Sequence, residues 1–254
     1  MPDTSLNLDS LRTEVALACR LLAWRGLAPD ILGHVSARVS SDRLLVRCRG
    51  PQERGLLFTV TDDVRLVDLD GREITDVLAD PHAGEYAVPN ELPIHTEIYR
   101  IHPEVRAVVH AHPPDVVTAG LAGVELRSIF GAFNIPAARL AAGGISTYPR
   151  SVLIRRPALA REMVAAMGSR PACVLRGHGL VTTGAGVADA VLRALDVDTL
   201  ARMSLRVIQA GGTTEPIPDA DLAELPDLGA GFNEAVLWRH HVAMLEAAGH
   251  GLDR

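Results

Sequence analysis

The chain contains no lysine: all 25 of its basic residues are arginine. A Schiff-base aldolase, a pyridoxal-phosphate enzyme and a Walker-type nucleotide site each need a lysine amine at the centre. None of those cofactors or bound nucleotides is therefore expected, and a carbanion formed here needs a metal instead. Cysteine is scarce too. Cys19, Cys48 and Cys173 are odd in number and far apart, which excludes a disulfide framework and a cysteine-rich zinc site and leaves three small core residues. No apolar run approaches the roughly 20 residues of a membrane span, and the N-terminus lacks the basic flank and apolar stretch of a signal peptide. A cytoplasmic protein is expected. Basic blocks are also missing, and the net charge is −6, so neither nucleic acid nor an anionic membrane has an electrostatic reason to bind. The expected partner is a small molecule.

What is present fits one α/β domain spanning residues 1–254, with 48% hydrophobic content to fill its core. Asp9 or Ser10 can cap a helix whose apolar positions Leu11, Val15, Ala18 and Leu22 follow a 3.6-residue period, ending near Gly26. Residues 34–39, 44–48, 56–61 and 64–68 read as strands of an antiparallel meander, with a hairpin signal at Asp70-Gly71 leading into 72–75. Asn90 can cap a helix that carries Pro93 in its first turn and stops at Pro103, before a strand at 105–109. Further on come a helix at 115–121, a short strand near 126–130, a helix opened by Pro157, strands at 172–176 and 180–183, and a long amphipathic helix from 187 to 209. Beyond Gly211-Gly212 the tail is acidic and turn-rich, then helical from 233 to 248, in the manner of a lid or an arm reaching a neighbouring subunit.

Histidine placement carries the chemistry. His110-Ala111-His112 closes a strand, where residues two apart share a face, so two imidazoles point the same way. His178 stands between Gly177 and Gly179, which let the backbone turn tightly and keep other side chains clear of the ring. Three neutral imidazoles leave coordination positions open for water or substrate, as a catalytic rather than structural metal site does. A lone strand histidine is more often a core residue, but a paired and a glycine-flanked histidine together favour a metal. Glu91, at the start of the helix before the His110 strand, can supply a fourth ligand or an acid/base beside the metal, or can be only a favourable first-turn charge. The ion can be Zn²⁺ or Mn²⁺, with Fe²⁺ or Co²⁺ also compatible.

Four segments in order, Glu91-Leu92-Pro93-Ile94-His95, Val108-Val109-His110-Ala111-His112, the Ala-Ala-Gly-Gly at 141–144 and Arg176-Gly177-His178-Gly179-Leu180, resemble the class II aldolase/adducin family over roughly residues 10 to 210. The resemblance implies a three-layer α/β/α sandwich around a mainly antiparallel sheet, assembled as a homotetramer with active sites at subunit interfaces. It also implies His110, His112 and His178 as metal ligands and Glu91 as the carboxylate that binds metal and trades protons with substrate. His95, one helical turn after Glu91, falls on the same face and would line the site.

The sugar-phosphate aldolases of that family cradle phosphate with a Gly-Asn pair and serines ahead of the Glu; here Gly33-His34-Val35-Ser36 and Pro89-Asn90 stand in those places. Ala137 occupies the position of one proton-donating tyrosine, and no tyrosine follows Tyr148. The early Gly-His-x-Ser-x-Arg, the Asn-Glu-Leu-Pro-Ile-His stretch and His-Ala-His-Pro-Pro instead resemble a branch that decarboxylates hydroxylated aromatic, heteroaromatic or ring-cleavage acids. There the metal would hold the enolate or phenolate left by CO₂, and Glu91 or His95 would protonate the carbon. His34, Arg38 and Arg176 are candidate substrate contacts, with Arg47 and Arg49 weaker ones, and Ser36 is a loop-holding candidate beside them. His82, His102, His240, His241 and His250 carry no motif and read as surface or helix-end residues. An aldolase or epimerase on a sugar or hydroxy-keto acid, a non-enzymatic adducin-like module and an oxygen-using iron enzyme are the alternatives.

Overall fold

A computed structural model describes residues 8–74, 84–228 and 233–252. The helical period of the N-terminal segment is realised in α1 (Leu8–Trp24), which buries Val15, Ala18 and Leu22. Seven strands follow: β1 (His34–Arg38), β2 (Arg43–Arg47), β3 (Val64–Asp68), β4 (Ala107–Ala111), β5 (Ser146–Tyr148), β6 (Ala172–Leu175) and β7 (Gly179–Gly184). They form one sheet in the order β3-β2-β1-β4-β7-β6-β5. Every neighbouring pair is antiparallel except β5 with β6, so the sheet is mainly antiparallel, as expected.

Side chains alternate across this sheet, and each face has its own core. Ala107, Val109 and Ala111 of β4 join α1, α3 (Pro114–Ala122) and α6 (Val187–Gln209) on one side. Val108 joins α2 (Leu92–Ile101) and α5 (Pro157–Met167) on the other. The result is the α/β/α sandwich. Because His110 shares its face with Val108, it points into the α2 layer.

Several local expectations are corrected. The apolar run at 56–61 is two 3₁₀ turns, Leu56–Phe58 and Thr61–Asp63, not a strand; Gly55 enters it at φ 87° and Phe58 stays 47% exposed. Of the segment 72–75, Glu73 makes a single bridge to Val67, and Thr75 lies outside the described residues. Residues 126–130 are irregular, whereas α4 (Ile135–Leu140) and β5 form where no element was expected. In the tail, α7 (Asp219–Glu224) is followed by a π-helical turn at Asn233–Trp238 that runs into α8 (Arg239–Ala247). This tail helix rests on its own chain. Leu245 is buried in the α1 core, Arg25 Nη1 donates to His241 Nδ1 at 3.1 Å, and Arg20 donates to the carbonyls of His250 and Gly251.

Candidate metal centre

Four side chains from three places in the fold converge at one end of the central strands of the sheet: Glu91 before α2, His110 and His112 at the end of β4, and His178 in the turn between β6 and β7. Their ligand atoms all lie within 4.8 Å of one another. The β4–β7 register produces the approach, pairing His110 with Val181 and Ala111 with Leu180. Gly179 lets the two backbones close, since a Cβ there would run into the Ala111 carbonyl oxygen.

The fixed hydrogen bonds decide which atoms are left for a ligand. Nδ1 of His110 donates to the Leu180 carbonyl at 3.1 Å, so the bare nitrogen is Nε2. That atom lies 2.9 Å from His112 Nε2 and 3.4 Å from Glu91 Oε2. His178 Nε2 is 3.3 Å from the same carboxylate oxygen, and its buried Nδ1 has no hydrogen-bond partner among the described residues. Glu91 is oriented from behind: the Ile154 backbone N–H donates to Oε1 at 2.7 Å, leaving Oε2 to face the imidazoles. Three Nε2 atoms and one carboxylate oxygen thus gather with their partners elsewhere satisfied or spare. This donor set fits a divalent cation, which facing lone pairs and one carboxylate charge call for.

Electrostatics agree with that fit. Burial and the charges of His110 and His178 push the His112 pKa down to about 3, against the smaller opposing effect of Glu91. Burial alone would raise Glu91, but its hydrogen bonds with His110 and His178 and their charge hold it well below the usual carboxylate range. At neutral pH the cluster therefore offers a neutral His112 and an ionised Glu91, the forms a metal binds.

His34 and His95 lie next to the cluster. β1 pairs His34 directly opposite His110, and the two rings are 4.9 Å apart at their centroids. His34 Nδ1 is 2.6 Å from His95 Nε2. His95 Nδ1 is 2.6 Å from Ser36 Oγ, which is 2.8 Å from Tyr99 Oη. Burial, then the charge of His110, lowers His95 to about 3, and burial, then His95, takes His34 well below its ordinary value.

The arginines are placed differently. Arg38 is buried and spends Nε on the Val105 carbonyl at 2.8 Å and Nη2 on the Tyr99 and His102 carbonyls, closing the C-terminus of α2. Arg47 is paired with Glu53 at 2.6 Å, and the Arg49 backbone bridges to Ala87. Arg176 is exposed. His102 pairs with Glu104, His240 is exposed, and His82 lies outside the described residues. Two contributors had not been expected. Tyr99 carried a signal, since it stands one turn after His95 on the same helix face; Ile154 acts through its backbone and carried none. Cavity size does not mark the site either: a cavity of about 880 Å³ is bounded by α4, α6 and α8 and contains none of the four donors.

Comparison with known proteins places this geometry. The sequence is 57% identical over 237 residues to 3,4-dihydroxyphthalate decarboxylase of Arthrobacter keyseri, covering 93% of this chain and 94% of the relative. It is 49% identical to the enzyme of the same name from Rhodococcus jostii, over 93% and 96% of the two chains. The crystal structure of an aldolase II superfamily protein from Pseudomonas syringae superposes with a TM-score of 0.80 at 21% identity, covering 98% of this chain and 97% of that one. The likeness expected from the motifs, to the decarboxylase branch, is borne out by the first two, and the fold by the third. The model of the class II aldolase and adducin N-terminal domain matches residues 13–205, and the chain belongs to that family.

Proposed function

We propose that this chain is a metal-dependent carboxy-lyase acting on 3,4-dihydroxyphthalate or a closely similar vicinal hydroxy-carboxylate. The carrying observation is the four-donor cluster of Glu91, His110, His112 and His178 in a chain 57% identical to a decarboxylase of that substrate. When bound, a divalent cation supplies positive charge that holds a hydroxyl oxygen of the substrate as its anion and takes up the electron density returned to the ring as CO₂ leaves. Zn²⁺ and Mn²⁺ are the ions we favour for this nitrogen-rich set.

The residues do the rest. His110, His112 and His178 hold the ion, and Glu91, fixed by the Ile154 N–H, completes the set with Oε2. The bond that breaks joins the ring carbon to the carboxylate beside the hydroxyl; its electron pair stays on that carbon and a proton takes the place of CO₂. For 3,4-dihydroxyphthalate the product is then 3,4-dihydroxybenzoate, because the carboxylate next to the 3-hydroxyl is the one that can chelate. Sugar-phosphate cleavage is disfavoured by His34 and Ser36 at the phosphate-cradle positions, both drawn into hydrogen bonds with His95. Arg38 serves α2 rather than substrate, and Arg176 remains the exposed candidate for a second carboxylate. We also expect a cytoplasmic homotetramer, checked by light scattering of the purified protein.

The test is to incubate purified protein with 3,4-dihydroxyphthalate and follow CO₂ and aromatic product. Stoichiometric CO₂ and 3,4-dihydroxybenzoate, lost on chelation and restored by Zn²⁺ or Mn²⁺, is the expected result. Full turnover in a metal-free sample, or cleavage of sugar phosphates with no CO₂ from aromatic acids, would overturn the proposal.

A further inference from the structure

His95 has no atom left with which to meet a substrate. It is 0% exposed, its Nε2 is engaged by His34 and its Nδ1 by Ser36. His34 differs. It is 7% exposed, only Nδ1 is engaged, and Nε2 meets no protein partner among the described residues. Nor is Nε2 sealed off, as the unpartnered Nδ1 of His178 is. Its ring stands beside that of the ligand His110, so a substrate held at the cluster meets His34 from this side.

We infer that His34 is a substrate-contacting residue that presents Nε2–H to an anionic oxygen of the substrate, and that His95, Ser36 and Tyr99 are positioning residues that fix its tautomer. The inference rests on the decarboxylase reading and extends it to a residue that decides how substrate is held.

The direction of the chain follows from counting hydrogens. Between His34 and His95, and again between His95 and Ser36, one hydrogen serves each contact, so the orientation at one end sets the whole line. At the far end Tyr99 is buried, and among the described residues its hydroxyl has one hydrogen-bond partner, Ser36 Oγ at 2.8 Å. A buried phenol hydrogen left without an acceptor is costly, so Tyr99 sends its hydrogen to Ser36. Ser36 then donates to His95 Nδ1, His95 donates from Nε2 to His34 Nδ1, and His34 carries its hydrogen on Nε2. Arg38, stacked 4.5 Å over the Tyr99 ring and tied to the end of α2, keeps the tyrosine in place. A neutral imidazole N–H aimed at a carboxylate or phenolate oxygen gives a directional contact that the shorter amide of an asparagine at this position would not reach.

The experiment is kinetics and ring-nitrogen NMR on the zinc-loaded protein. Glutamine can place its amide nitrogen where Nε2 of histidine lies, whereas asparagine matches Nδ1. His34→Ala and His34→Asn should therefore lower kcat/KM by about 10- to 100-fold, the scale of a lost hydrogen bond to a charged group, with one metal per chain retained, and His34→Gln should recover most of the loss. Ser36→Ala should raise KM for 3,4-dihydroxyphthalate at unchanged metal content. In ¹⁵N-histidine-labelled protein His34 Nε2 should resonate as a protonated nitrogen and shift toward the bare form in Ser36→Ala. A bare Nε2 in the wild type, wild-type kinetics for His34→Ala, or equal losses for the Gln and Asn variants would overturn the inference. Should the wild type release no CO₂, the decarboxylase proposal fails by that result alone, and the NMR arm still decides the tautomer.

Discussion

At the scale of single residues, the cluster divides into groups that hold and groups that orient. His112 and His178 each offer one nitrogen to the same point, so His112→Ala or His178→Ala should lose metal and activity together, as read by metal analysis and CO₂ release. Glu91→Gln is subtler. An amide oxygen can still accept from the Ile154 N–H, but the neutral NH₂ group then faces His110 and His178. We expect kcat to fall by about 100-fold or more, the scale of a removed electrostatic partner, with much of the metal and the circular dichroism spectrum retained; normal turnover would remove Glu91 from the set of ligands. The three histidines were legible in the sequence because strand alternation and flanking glycines are local signals, whereas Glu91, at the start of α2, could equally have been a first-turn charge and was singled out by the family resemblance. His95 was legible only in part: its helix face was right, but its two hydrogen-bond partners come from another strand, and these withdraw it from the substrate.

Among the elements, the β4–β7 pair matters most for the site. Gly179 closes the approach of the two strands, so Gly179→Ala must push β7 off the Ala111 carbonyl. Overpacking of this kind costs about 1–3 kcal/mol, and we expect a lower urea midpoint together with weaker metal retention; an unchanged midpoint would mean that the pairing is more pliant than its geometry. Gly33 is a second such place, with φ +90° and a would-be Cβ 3.0 Å from the His110 carbonyl oxygen. Long periodic elements such as α1 and α6 were readable from sequence, because an apolar stripe of several turns has one solution. Short ones were not. The run Leu56-Leu57-Phe58 has strand-like composition, but Gly55 turns the chain before it. β5 has only three residues, and it exists because β6 offers it a parallel edge.

For the molecule as a whole, buried histidines tie folding to pH. His95 and His112 are lowered to about 3, and His34 lies well below its ordinary value. Below pH about 6.5 the unfolded chain takes up protons that these rings refuse in the folded state, so their contribution is complete above that pH and is lost as pH falls toward 3. Asp196, raised to about 6 by burial despite its bond from Asn134, has the opposite sign and favours the fold as pH drops from 6 to 4. His241, lowered to about 4 by burial, adds a fourth ring, and Asp63 and Asp198, raised by burial, side with Asp196. Between pH 7 and 5 the rings, whose ordinary pKa of about 6.5 lies inside the interval, outweigh these carboxyls. The metal-free protein should therefore show a urea midpoint that declines steadily from pH 7 to 5, and a flat profile over that interval would contradict the burial of these rings.

The Ile154 amide has a use outside catalysis. Its hydrogen is held by Glu91 Oε1, while Leu153, its neighbour, is exposed at the surface. Whatever steadies the carboxylate at its other oxygen also steadies this one backbone position. Deuterium uptake at Ile154 should accordingly slow as the cluster is loaded, giving a reporter of occupancy that needs no substrate, no colour and no turnover.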